Sequence, residues 1–303
     1  MEIKWRQILE EGVAAWNAFR ARNPAAVPEL SQVDLNGRDL AGINLEDANL
    51  EGANLAGCDL TSANLAAAVL AQANLAETIL FKCNLQSADL IGANLFAADL
   101  RDSLLSGIHL KGANLGAARL HRAVFAEAPS PHGCTVPPAV MLFAQAEKAD
   151  FYQADGSGVD FNNSNLILAN LENSKFRGAN FAGSELKSAK LINADLERAD
   201  LTGAMLAYAD LRGARLAQAK LLRADLYLAW LENSDLTAAD LAEADLFAAR
   251  IRGCGFNRAN FHGANLFNVT FRDCSLADAD FTGANLSRAS FPGSRLHGAR
   301  GLP

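Results

Sequence analysis

Residues 41–75 run AGINL EDANL EGANL AGCDL TSANL AAAVL AQANL, consecutive blocks of five that each end in leucine. The register extends in both directions. Every fifth residue from Leu35 to Leu120 is leucine, and Phe125 closes the run. The pattern restarts one position later at Phe151 and continues to Leu296, with Gly156 and Ile251 the only departures from Leu or Phe. Two positions before each of these residues stands something small, typically alanine (Ala48, Ala53, Ala63, Ala194, Ala199), sometimes cysteine, serine or valine. The residue between the two is polar, most often Asp or Asn.

A period of five matches neither the 3.6 of a helix nor the 2.0 of a long strand. It matches a short extended piece followed by a corner. In three extended residues the first and third point the same way, so the small residue and the Leu or Phe face inward while the Asp or Asn faces out. The other two residues turn the chain. Glycine is frequent at the second of them (Gly52, Gly57, Gly92, Gly112, Gly178, Gly213, Gly263, Gly283), as a turn needing a positive φ requires. Repetition winds the chain into a coil.

The blocks Ala53-Asn54-Leu55, Ala63-Asn64-Leu65, Ala199-Asp200-Leu201 and Ala264-Asn265-Leu266 follow the motif A(D/N)Lxx, and over about residues 30–125 and 150–300 the chain resembles the pentapeptide-repeat family. The resemblance implies an all-β fold, a right-handed parallel β-helix of nearly square section with four pentapeptides to a coil. About twelve coils stacked about 4.8 Å apart would make a rod on the order of 60 Å long. Each coil bonds only to its neighbours, the quasi-one-dimensional stability of a solenoid.

Half of the 303 residues are hydrophobic, which excludes a disordered polymer. Lys and Arg total 27 against 34 Asp and Glu, a formal net charge of -7, too mild for a polyanion and of the wrong sign for a nucleic-acid binder. No window holds the roughly 18 uninterrupted apolar residues of a membrane span. The opening MEIKWRQILEEG is charged where a signal peptide carries its apolar core. The expectation is a soluble, cytoplasmic bacterial protein that binds neither nucleic acid nor membrane. Five cysteines without paired short spacing describe neither a disulfide framework nor a zinc site.

Four segments are expected. Residues 1–29 form an N-terminal helical cap, in which Trp5, Ile8, Leu9, Val13, Trp16 and Phe19 share one face of a helix over 2–21 that Asn23-Pro24 stops. Its Trp16-Asn17, Arg20 and Asn23-Pro24 resemble a leader seen ahead of other bacterial pentapeptide arrays. Residues 30–125 are a first array and 150–303 a second. Between them, 126–149 carry four of the eight prolines and read as an excursion with a short helix at 137–143. It is an excursion packed on the side of one rod, a break between two rods, or a loop that recognises a partner. The missing leucine at Gly156 suggests a weak or kinked coil beside it. Some family members dimerise through their C-terminal ends, and the phenylalanine-rich last coils here (Phe256, Phe261, Phe271, Phe281, Phe291) imply by resemblance an end-to-end homodimer.

Residues twenty apart should stack in one outward line, and most lines mix charges. One differs: Tyr227, Phe247 and Phe267, with Tyr208, Leu228 and Trp230 at neighbouring corner positions. A contiguous exposed apolar patch marks a contact surface, although stacked aromatics also serve to shield a ladder edge. Phe81, Ile91 and Phe96 form a looser group on the first array.

A filled rod offers no concave site, so no catalytic residue, cofactor or metal is expected. No histidine among His109, His121, His132, His262 and His297 stacks on another. Cys254 and Cys274 stack at the small inward position and read as core filler; Cys134 beside His132 lacks an orienting partner. The expected function is a non-catalytic scaffold or protein-protein interaction module whose partner is another protein. The alternative, implied by the resemblance, is a DNA mimic that binds or protects a type II topoisomerase. Residues 30–125 carry 10 acids and 6 bases and 150–300 carry 18 and 16, nets of -4 and -2. Duplex DNA has a phosphate charge about every 1.7 Å, a density this chain does not approach. The fold also permits a secreted effector, which no sequence feature supports.

Overall fold

The structure, a computed structural model, describes residues 5–110, 112–125, 141 and 144–302. It divides into two compact units, Met1–Asp150 and Phe151–Pro303.

Both units are built from one repeating side. In the first, the amide of Leu55 donates to the carbonyl of Asn74 at 2.8 Å, and the amide of Asn74 donates back to Ala53 at 2.9 Å. These bonds make parallel bridges between residues twenty apart, such as Asn54↔Asn74 and Asn74↔Asn94, and in the second unit Asp195↔Arg215. Four sides of five residues complete a coil. Leucines fill the interior of the first unit, and phenylalanines join them in the second, where Phe161 lies on Phe181 with ring centroids 5.3 Å apart and Phe261 on Phe281 at 4.8 Å. Where the small inward residue is polar, it donates to a central carbonyl, either of the preceding coil, as Thr78 Oγ1 to Leu55 at 2.8 Å and Ser234 Oγ to Leu211 at 2.7 Å, or of its own corner, as Ser174 Oγ to Leu171 at 2.6 Å and Ser184 Oγ to Phe181 at 2.7 Å.

Each corner is a β-turn closed by the small residue, as where the Ala53 amide donates to Leu50 at 3.0 Å. Its second residue is left-handed at every corner among the described residues, at Gly52 (φ 62°) and equally at Ala67 (54°), Lys82 (58°) and Tyr208 (61°). Glycine is therefore preferred but not required. What the position excludes is branching at Cβ: no Val, Ile or Thr has a positive φ among the described residues. Ala67 is exposed, so Ala67→Val tests the corner without disturbing the core. It should lower stability by about 1–2 kcal/mol, whereas Ala67→Gly should match or exceed the wild type. Equal melting of Ala67→Val and wild type would contradict the left-handed corner.

The Asp or Asn of each side is more than a solvated group. Its Oδ1 accepts the amide two residues on, Thr61 to Asp59 at 2.8 Å and Glu51 to Asn49 at 3.1 Å, which satisfies a corner N–H the ladder leaves free. Asparagines also bond along a line, with Asn74 Nδ2 donating to Asn54 at 3.2 Å and Asn94 Nδ2 to Asn74 at 3.1 Å.

At the N-terminus the expected single helix is two, α1 (Trp5–Glu10) and α2 (Val13–Arg22), because Gly12 takes φ 97° between them. Trp5 lies against Trp16 and Phe19, at 5.7 and 5.5 Å between centroids. The inner face carries Trp5, Leu9 and Trp16 together with the buried Arg20, while Ile8, Val13 and Phe19 are only partly covered. These helices bond to the free edge of the first coil. Trp16 Nε1 donates to the Asn44 carbonyl at 2.7 Å and Arg20 to Glu46 at 2.7 Å. The Asn17 amide group donates to Gly42 at 2.9 Å and accepts from the Asn44 amide at 2.8 Å, standing in for a missing strand.

Two further expectations change. Repeat geometry resumes at residue 144 rather than 150: Gln145 pairs with Arg119 and Asp150 with Val124, 26 residues apart instead of twenty. The six added residues exceed one repeat by one, which is why the register shifts by one position. Apart from the buried Met141, the helix expected at 137–143 lies outside the described residues, as do His132 and Cys134. The coil at Gly156 is also regular, since its amide donates to Lys175 at 2.7 Å and Asp155 pairs with Lys175. The Phe176 ring, packed against Phe151, Phe161 and Phe181, occupies the space a leucine would fill.

Candidate interaction surface

In the second unit one corner separates a face bearing Glu185, Met205, Asp225 and Asp245 from a face bearing Asp210, Trp230, Arg250 and Thr270. Tyr227, Phe247 and Phe267 occupy the first position of successive corners. Each is held there by its preceding Asx side chain: the amides of Tyr227 and Phe247 donate to Asp225 and Asp245 at 2.9 Å, and that of Phe267 to Asn265 at 3.2 Å. Stacking follows from the coil rise. Tyr227 and Phe247 are 5.5 Å apart with planes 17° from parallel, and Phe247 and Phe267 5.5 Å apart at 8°. Tyr208 sits one coil earlier at the second corner position, and its left-handed backbone brings it edge-on to Tyr227, 5.5 Å away at 79°.

The four rings form one continuous edge. Tyr208 is 49 % exposed and Met205 50 %, while Tyr227, Phe247 and Phe267 are half-buried by one another. Lys187 lies 6.0 Å from the Tyr208 ring and Arg288 5.4 Å from Phe267. The Tyr227 hydroxyl is raised above an ordinary phenol, chiefly by the neighbouring Tyr208 and then by desolvation, so it stays protonated at neutral pH. Such rings present apolar area and a polar tip at little entropic cost.

Leu228 stacks half-buried in the column of Tyr208. Trp230 departs from its expected position. It is not at a corner but at the outward position of the next face, paired with Asp210 and Arg250. Arg212 of the coil before and Arg250 of the coil after lie over its ring at 4.1 and 5.2 Å, and its covered Nε1–H has no acceptor among the described residues. The indole thus belongs to an arginine-rich face rather than to the ring edge. Lys187, Arg212 and Arg288 reach these rings by crossing from one column to the next, which stacking of residues twenty apart does not specify. On the first unit, Phe96 is 48 % and Ile91 39 % exposed, and Phe81 lies under Lys82 and Arg101.

Cys58, Cys83, Cys254 and Cys274 are buried free thiols. Burial pushes Cys83 up to about 12, and its hydrogen bond to Cys274 together with burial raises Cys254, so neither is a nucleophile at neutral pH. Among the described residues no cluster of three or more His, Cys, Asp or Glu is placed to hold a metal ion. Among the same residues no helix is long and apolar enough to cross a membrane.

The family model described as pentapeptide repeats (8 copies) matches residues 29–65, 58–95, 93–128, 143–178, 164–203 and 199–237, and one described as a pentapeptide repeat region matches 224–300. No curated protein matches the chain. Among solved structures, HetL, a pentapeptide repeat protein involved in heterocyst differentiation regulation in the cyanobacterium Nostoc sp. strain PCC 7120, is similar at 24 % identity over 93 % of this chain and 94 % of HetL, with a TM-score of 0.26. A pentapeptide repeat protein of the Arabidopsis thaliana thylakoid lumen shares 35 % identity over 29 % of this chain and 65 % of its own, with a TM-score of 0.25. QnrB1, a plasmid-mediated fluoroquinolone resistance protein, shares 16 % identity over 74 % of this chain and 89 % of its own, with a TM-score of 0.27. At such TM-scores nothing about the role of this chain follows from these three.

Proposed function

The chain belongs to the pentapeptide-repeat family, whose members wind as right-handed β-helices, and from that premise we propose a non-catalytic scaffold that binds another protein along the edge of Tyr208, Tyr227, Phe247 and Phe267. The observation that carries this reading is the continuous run of four rings at a corner, three stacked and Tyr208 edge-on, with a cation against each end. Aromatic side chains are enriched at the centres of protein interfaces, where a rigid ring buries much area for few frozen torsions.

Charge placement speaks against the DNA mimic. A duplex-like surface needs a continuous acidic line, whereas one face here alternates Asp155, Lys175, Asp195, Arg215 and Asp235, and Asp200 is paired with Lys220 at 3.3 Å. The end-to-end homodimer would form on the last coil, where the inward Leu286, Phe291 and Leu296 are half-exposed; sedimentation velocity separates it from a monomer.

Tyr227→Ser with Phe247→Ser should abolish capture of the native partner in a pull-down while far-UV circular dichroism stays unchanged. The stability loss should be about 1.5–4.5 kcal/mol, the worth of the three broken ring pairs. Capture unaffected by the double change would sink the scaffold reading at this edge; unfolding would show that the rings shield the ladder instead.

A further inference from the structure

Residues 246–302 carry seven arginines, no lysine and three aspartates, a net of +4 in a chain whose total is -7. Most arginines upstream are neutralised by a neighbour: Arg101 by Asp99 at 2.6 Å, Arg122 by Asp102 at 2.5 Å, Arg212 by Asp210 at 2.7 Å, Arg223 by Glu243 at 2.7 Å. Next to the aromatic edge this stops. The face carrying Trp230 here lengthens into two paired strands, β1 (Arg250–Arg252) and β2 (Thr270–Arg272), whose outward residues are Arg250, Arg252, Thr270 and Arg272. Arg250 and Arg272 have no ion-pair partner among the described residues, and Arg252 has Asp273 only at 3.9 Å. The three guanidinium groups, with Asn268, Thr270 and a single carboxylate, Glu232, line a shallow cavity of about 430 Å³.

We propose that this groove, formed by Arg250, Arg252 and Arg272 beside the aromatic edge, binds an acidic polypeptide segment, its carboxylates on the arginines and a neighbouring apolar side chain on Tyr227 and Phe247. Guanidinium forks match carboxylates two bonds at a time, which a lysine does not. Arg252 and Arg272 stand on successive coils, about 4.8 Å apart at the backbone, and the length of a guanidinium side chain lets the pair reach carboxylates on one face of an extended segment, which recur about every 6.8 Å. A nucleic-acid strand fits less well. Single strands need open ring faces to stack on, and here the ladder rings cover one another at 17° and 8°. Asp225 and Asp245 on the far side of the edge would also repel a continuing line of phosphates.

The inference deepens the scaffold reading and fails separately from it. The probe is a fluorescein-labelled dodecapeptide with glutamates flanking a Leu-Phe pair, followed by anisotropy with the full chain at about 50 mM salt, where screening is weak. Expected is saturable binding, weakened at least about ten-fold by Arg252→Ala with Arg272→Ala, and less by the corresponding lysine pair, which keeps the charge and loses the fork. Both arginines are exposed, so the variants should melt with the wild type. Equal binding of a glutamine-for-glutamate peptide, unchanged affinity in the alanine pair, or tighter binding of an oligothymidylate of matched charge would each overturn the groove. A native partner lost on Tyr227→Ser with Phe247→Ser but retained by the arginine variants would keep the scaffold and overturn the groove.

Discussion

Leu211→Asp is expected to abolish cooperative folding of the second unit. Leu211 is 1 % exposed, its amide donates to Trp230 at 2.8 Å and its carbonyl accepts from Ser234 Oγ. Truncation of such a leucine alone costs about 2–5 kcal/mol through lost burial and the cavity left behind. A carboxylate in the same place enters the dry core with no cation to pair with and adds several kcal/mol of desolvation. Against a typical total of about 5–15 kcal/mol, that suffices to unfold the unit. The effect has a definite sign with pH. Burial raises the folded pKa of the introduced carboxyl above its unfolded value, so the variant is least impaired below the unfolded value, about 4, and loses stability as pH rises through the folded one. Leu211→Asn supplies the reference, since it should show the size change without that pH dependence. Urea melts at pH 4 and pH 7 read the difference, and a variant as stable as wild type at neutral pH would mean that position 211 does not face inward.

The second large effect is Gly156→Leu, which restores the consensus residue and should nevertheless destabilise. A Cβ on Gly156 would lie 2.6 Å from Phe176 Cδ1 and closer still to Cε1, so the ring must leave. Its edge contacts with Phe151, Phe161 and Phe181, at 6.1, 6.0 and 5.5 Å, would be lost with it. Overpacking of this kind costs about 1–3 kcal/mol, and the aromatic pairs add about 0.5–1.5 kcal/mol each. The backbone is not the obstacle, because Gly156 is absent from the positive-φ positions. Gly156→Leu combined with Phe176→Leu should therefore recover to within about 1 kcal/mol of wild type, a coupling that a double-mutant cycle measures directly. Simple additivity of the two changes would show that Phe176 does not fill the gap.

Much of the fold was readable from residues alone because inward and outward are local properties. In a three-residue extended side, alternation decides which side chain enters the core, whatever lies in the next coil. Leu55 and Ala53 are buried and Asn54 faces out on that ground, and the twenty-residue column of Tyr227, Phe247 and Phe267 follows once the family resemblance supplies four sides to a coil. The left-handed corners were legible only in part. Glycine announced them at Gly52, but Tyr208 and Lys82 adopt the same backbone because the ladder and the closing turn over-determine it.

The period and the identity of the core are thus written residue by residue, while the square section of the coil is what the family resemblance implies. Whatever depends on side chains from different coils meeting is set by how the coils pack. Phe176 fills the place left by Gly156, Arg212 and Arg250 enclose Trp230, and Asn17 of α2 completes the open edge at Asn44. The same holds for which arginines are free. Arg223 and Arg272 are indistinguishable as letters in a repeat, yet one meets Glu243 in the next coil and the other has no ion-pair partner among the described residues, because charge pairing is set by distances between coils that no five-residue register specifies.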